Sequence, residues 1–248
     1  MHQLSELQEI RERIGVNPKQ VGEGTKRKFW RIVGAIKRNP HPSEENITLA
    51  SEIRDILYHH RLGYPKSLKW LGLWVVFGAS CVIAYLWTLI FPIWFTGDPT
   101  TDIWIMLFLR YSSFFGAIFG FYPFGRLLAG SVLGIKLDGI TRDIYYLPTL
   151  KVNYPTYLKA KPTHRMWFFF FAGLWTVITG AWVGILGWIV GGEWIGLVST
   201  IILGILEGVG IHYGGKWAGE MGHFKRERLI VKDWQLNVDK NLTTNNSR

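Results

Sequence analysis

Cysteine is nearly absent: the 248 residues contain one, Cys81, inside an apolar stretch. A lone cysteine excludes an intrachain disulfide framework and a cysteine-rich metal site, and it reads as a small packing residue. Histidine and acid clusters are equally scarce. His59 and His60 are neighbours on one helical segment, so their side chains point in different directions and make a poor chelate. Neither His212 nor His164 faces a clear second axial ligand, as a haem would require. The sequence therefore offers no catalytic residue, no metal site and no cofactor, and the expectation is a chain that is not an enzyme. The first 25 residues lack an apolar core, so no secretory signal is expected. Their acids Glu6, Glu9, Glu12 and Glu23 argue against an ordinary mitochondrial presequence.

Basic charge is missing from two connections that separate long apolar runs. Pro92–Trp104 carries only Asp98 and Asp102, and Gly191–Gly192–Glu193 carries a single acid. What is present is apolar and aromatic: the composition is 48% hydrophobic and 15% aromatic with 13 Trp, which suits rings at lipid headgroup level. Four segments, 71–91, 105–135, 166–190 and 194–213, approach or exceed the roughly 20 residues needed to span a bilayer. The second is over-long, about 46 Å as a straight helix, and Pro123 or a trailing turn after Arg126 could absorb the excess.

Of 28 Lys and Arg, 13 precede Leu71, six lie between Lys136 and Arg165, seven follow Tyr213, and only Arg110 and Arg126 fall inside the runs. By the positive-inside rule both termini and the central loop belong on the cytoplasmic or matrix side. The expected fold is an all-α integral membrane protein with four transmembrane helices. Its expected domains are a basic amphipathic N-terminal region (1–69), a four-span membrane domain (70–215) interrupted by a basic loop (136–165), and a polar C-terminal extension (216–248).

Leu4, Leu7, Ile10 and Ile14 predict a first amphipathic helix, and Ser43 followed by Glu44, Glu45, Ile47, Ala50, Ile53 and Leu57 predicts another. Between them, residues 26–38 interleave Phe29, Trp30, Ile32, Val33 and Ile36 with Lys26, Arg27, Lys28, Arg31, Lys37 and Arg38. Such a helix either lies on anionic lipid, with those six cations as headgroup contacts, or docks on the protein's own extramembrane part. The Tyr- and Pro-rich central loop reads as an extended segment along a partner or headgroups. Nucleic acid is not an expected partner, because topology already accounts for the basic residues. Leu229, Ile230, Val231, Trp234 and Leu236 could meet another subunit or cover the amino-terminal region.

Inside the spans, Gly116 and Gly120, Gly180 and Gly184, and Gly204 and Gly208 have the small-residue spacing that lets helices approach closely in lipid. Arg110 is expected to snorkel toward Asp98 or Asp102. Glu207 and Arg126 are placed at similar depth, which makes them the expected buried ion pair. An intramembrane Glu with a nearby His212 also admits a polar or proton pathway. The leading expectation is a noncatalytic accessory subunit of a hetero-oligomeric membrane complex, contacting anionic phospholipid; an energy-transducing inner membrane, respiratory or ATP-synthase in type and mitochondrial among the options, is one setting. The alternative is a small transporter, channel or protein-translocation component using Glu207, Arg126 and His212.

Overall fold

The computed structural model describes residues 2–91, 96–142, 148–213 and 219–246, with side chains omitted at 2, 16, 148, 210–213 and 237–246. About 83% of the chain is helical, so local hydrogen bonding satisfies most of the backbone, as a bilayer demands. Among the described residues, three helices are long and apolar enough to cross a membrane. They are α4 (Leu71–Ile90, extended at its start by the turn Leu68–Trp70), α5 (Pro99–Leu133) and α7 (Pro162–Gly191). A further helix, α8 (Ile195–Tyr213), contributes a shorter apolar stretch, Ile195–Val209. Helix α5 runs 35 residues and continues through Pro123.

The chain divides into two compact units. One gathers Met1–Lys66, Gly130–Phe168 and His223–Arg248, and the other gathers Ser67–Ala129 and Phe169–Gly222. The three polar regions that look separate in sequence thus form one body.

In that first unit, α1 (His2–Val16), α2 (Glu23–Arg38) and α3 (Glu44–Leu62) supply apolar stripes. Leu7, Ile10, Ile14, Phe29, Ile32, Val33, Ile36, Ile47, Ala50 and Ile53 are all buried. Ser43 caps α3 by accepting from the Asn46 amide, and Gly63, at φ 77, ends it where a side chain would be strained. The apolar face of α2, Phe29, Ile32, Val33 and Ile36, is thus buried within this unit.

The central loop departs from the all-α expectation. Strands β1 (Leu137–Arg142) and β2 (Pro148–Val152) pair antiparallel, followed by the short helix α6 (Tyr154–Lys159). Prolines at 148, 155 and 162 do rule out one long helix, but Pro148 begins a strand while Pro155 and Pro162 fall in first helical turns, where a missing N–H costs little. Lys66 bridges to Ile140 beside the hairpin, and a Cβ on Gly139 would collide with the Lys66 carbonyl. The C-terminal extension forms α9 (Gly219–Asn246), whose Phe224, Ile230 and Val231 are buried while Leu229 and Leu236 are 55% and 60% exposed. Both expected uses of this apolar set therefore have residues available.

In the second unit, the helices meet at glycines. A Cβ on Gly120 would lie 2.5 Å from Gly78 Cα, and one on Gly116 2.8 Å from Cys81 Sγ, so α4 and α5 approach nearly backbone to backbone. Gly180 faces Thr200 and Gly184 faces Gly196, which brings α7 to α8. Elsewhere the unit shows apolar side chains outward: Ile83, Trp104, Phe108, Trp188 and Ile201 are each more than half exposed. Such a surface is costly in water and natural in lipid.

Candidate functional site

A buried carboxylate of the first unit, Glu227 of α9, gathers donors from three other elements and was not among the residues singled out from sequence. It is 2% exposed. Its Oε1 accepts from Lys37 Nζ and from Tyr157 Oη, both at 2.6 Å, and its Oε2 accepts from Arg165 Nε at 2.9 Å. Lys37 Nζ also donates to Tyr157 Oη at 3.0 Å. The remaining Arg165 nitrogens donate to the carbonyls of Ala160 and Lys37, both at 2.7 Å, and to Leu158 at 3.4 Å.

One carboxylate thus joins α2, α6, the first turn of α7 and α9. Burial alone would raise its proton affinity, but Lys37 and Arg165 outweigh that and hold Glu227 down at about 2. Burial acts the opposite way on the cation and draws Lys37 below the ordinary lysine value. Burial and the Glu227 charge together push the Tyr157 hydroxyl well above its usual value, which keeps it a donor. Each ionised group is matched and hydrogen-bonded, the condition under which buried charge is tolerated.

A second polar cluster sits nearby in the same unit. Lys151 Nζ, on β2, reaches Asp55 at 2.9 Å, Asp138 at 3.3 Å and His59 Nε2 at 3.4 Å. Arg54 stacks against both Tyr58 and Tyr154 at 4.8 Å, so the tyrosines of the central segment bind cations of their own chain. Desolvation, then the Lys151 charge, lowers the His59 pKa. These groups tie the hairpin to α3.

The expected headgroup cations are largely occupied. Lys37 is the clearest correction, since it points inward to Glu227. Lys26 pairs with Glu23 at 3.1 Å, Lys28 with Glu9 at 3.1 Å and Glu6 at 3.4 Å, and Arg38 with Asp233 at 3.0 Å. Arg27 and Arg31 remain exposed, flanking the half-exposed Trp30.

The charges on and next to the apolar helices are also redistributed. Arg126 does not pair with Glu207: its Nε donates to Glu220 Oε1 at 2.5 Å, and Tyr122, one turn earlier on α5, donates to the same oxygen at 2.9 Å. Glu220 is 4% exposed in the first turn of α9. Depth matched Arg126 with Glu207, but the start of α9 brings a carboxylate closer. Glu207 is half-buried and makes no ion pair or hydrogen bond among the described residues. The His212 side chain lies outside the described residues.

Arg110 pairs with Glu193 at 3.0 Å and donates to the Thr88 carbonyl at 2.8 Å. The acids expected for it are engaged locally: Asp98 accepts from Thr101, and Asp102 from the Thr96 amide and hydroxyl. Among the chosen glycines, Gly116, Gly120, Gly180 and Gly184 sit at tight approaches, Gly204 is only in ordinary contact with Val177 at 3.8 Å, and Gly208 has nothing within 4 Å.

The features together define a largely helical protein with membrane-length apolar helices and a separate, charge-stitched polar unit. No family model matches the chain, and no curated protein or solved structure is similar to it.

Proposed function

We propose that this protein is a noncatalytic structural subunit of a larger membrane complex. In this reading α4, α5, α7 and α8 all span, with α8 as the fourth. The polar unit then lies on the cytoplasmic or matrix side, with both termini and the central segment in it, and an energy-transducing inner membrane suits such a subunit.

The observation that carries the reading is the internal use of charge. Lys37, Arg165, Arg126 and Arg110 each meet a carboxylate of this chain, and Lys151 meets two. Such groups hold a scaffold together and leave exposed surfaces to do the binding. Two surfaces are available for that: Leu229 and Leu236 on α9 for a partner subunit, and Arg27, Trp30 and Arg31 on α2 for anionic phospholipid.

A second reading rests on one observation, the half-buried Glu207 without a described partner. An intramembrane acid of this kind is a candidate for a transport or channel pathway. Native mass spectrometry in mild detergent separates the two. Co-release of defined partner masses supports the subunit reading. A lone chain or homo-oligomer that moves protons or ions in proteoliposomes, with flux abolished by Glu207→Gln, replaces it with the transporter.

A further inference from the structure

The Glu193 end of the second unit holds three buried polar atoms that find no hydrogen-bond partner among the described residues: Tyr85 Oη on α4, and Arg110 Nε and Tyr111 Oη on α5. Their placement is convergent. Arg110 holds Glu193 Oε2 through Nη1 and the Thr88 carbonyl through Nη2. Glu193 Oε1 accepts the Ile195 amide at 2.9 Å, and the Glu193 amide donates to the Gly187 carbonyl at 3.3 Å. The Tyr85 hydroxyl lies against Gly187 and next to Ile195's neighbour Gly196: a Cβ on Gly187 would collide with it, and one on Gly196 would lie 3.0 Å away. The Tyr111 hydroxyl lies within electrostatic reach of Tyr85, Arg110 and Glu193, which brings it to the same end of the unit.

The chemistry narrows the ligand. Arg110 Nε can only donate, whereas each phenol can donate or accept. Arg110 and Glu193 already balance in charge, so an added anion or cation would bring an unmatched charge into a buried place. Tyr85 is 0% exposed, which keeps a lipid carbonyl from reaching it. A neutral molecule that is small and both donates and accepts fits all three groups. We propose that the Tyr85, Arg110, Tyr111 and Glu193 cluster binds internal water, with at least one molecule accepting from Arg110 Nε and bridging the two tyrosine hydroxyls. Internal waters characteristically make about three bonds to otherwise unsatisfied groups, the number of unpartnered atoms found here. The water links α4 to α5 beside the α7–α8 turn and hydrates a polar cluster between apolar helices.

Radiolytic hydroxyl labelling of the full chain in lipid nanodiscs tests this, because radicals form wherever water is held. Phe114 is the internal control: it is 0% exposed and its ring lies 5.7 Å from that of Tyr85. Labelling of Tyr85 and Tyr111 several-fold above Phe114 is expected, and labelling no greater than at Phe114 overturns the proposal. Tyr85→Phe and Tyr111→Phe give a second readout whose sign is diagnostic. If water bridges the hydroxyls, each substitution lowers the melting temperature; an unchanged or raised value in both would mean the hydroxyls were unsatisfied, and that also overturns it.

Discussion

Replacing Glu227 with glutamine preserves the side chain's shape while removing the charge that Lys37, Arg165 and Tyr157 converge on. Arg165 is 2% exposed and cannot retreat to solvent. The substitution therefore leaves two buried cations facing one another, and removing one partner of a buried pair costs about 3–5 kcal/mol. An independent route gives a similar size. The drop from 4.5 to about 2 in the Glu227 pKa corresponds to about 3 kcal/mol of stability. Because the folded-state value is depressed, that contribution is complete above 4.5 and is lost as pH falls toward 2.

For a chain of this size, about 3 kcal/mol lowers the melting temperature by roughly 6–12 °C. The assay is thermal unfolding in detergent, followed by circular dichroism from pH 7 down to pH 3. Glu227→Gln should melt earlier at neutral pH and lose much of the wild type's destabilisation in acid. Lys37→Met, which leaves Glu227 paired with Arg165, should cost less than Glu227→Gln. If Glu227→Gln melts within about 2 °C of wild type at pH 7, the reasoning that this carboxylate carries the network is wrong.

Other outcomes follow from the same geometry. Gly120→Ala should destabilise by about 1–3 kcal/mol, because the new methyl meets Gly78 backbone, whereas Gly208→Ala should be near neutral; equal melting temperatures would contradict the close approach. Glu220→Gln should lower stability more than Glu207→Gln, since Glu220, unlike Glu207, holds Arg126 and Tyr122, and the reverse order would restore the Arg126–Glu207 pair. The His59 imidazole should titrate below 6.5 by NMR and move upward in Lys151→Met, whose removal takes away a neighbouring positive charge; a midpoint at or above 6.5 in wild type would exclude that environment. The stability that His59 contributes is present above its unfolded value and is lost as pH falls through the lower folded value.

The extent to which the sequence was legible follows from the range of each physical signal. Apolar runs and helical periodicity are local, so the positions of α1, α2, α3, α4 and α7 can be read directly, and Ser43 with Gly63 marks the ends of α3. Charge distribution is also readable, because it requires only counting Lys and Arg between apolar runs. The β1–β2 hairpin was not readable: its strands carry no clean alternation, and Lys136, Lys151, Pro148 and Pro155 gave competing signals. Six cations on α2 looked equivalent because helical spacing shows which face a residue occupies but not what packs there. Lys37 lies on the border of the buried face, and only α6 and α9 turn it from a surface cation into a core one.

What the sequence by itself determined is the set of apolar helices and the concentration of basic charge outside them, since both depend on residue type along short stretches. The partner of each charge was decided only by tertiary structure. Arg126 meets Glu220, Arg110 meets Glu193, and Glu227 gathers Lys37 and Arg165 from places 190 and 62 residues away. Electrostatic pairing depends steeply on separation in space, and along the chain several acids were equally plausible for each base. Folding selects among them by bringing one carboxylate to each cation as water is excluded.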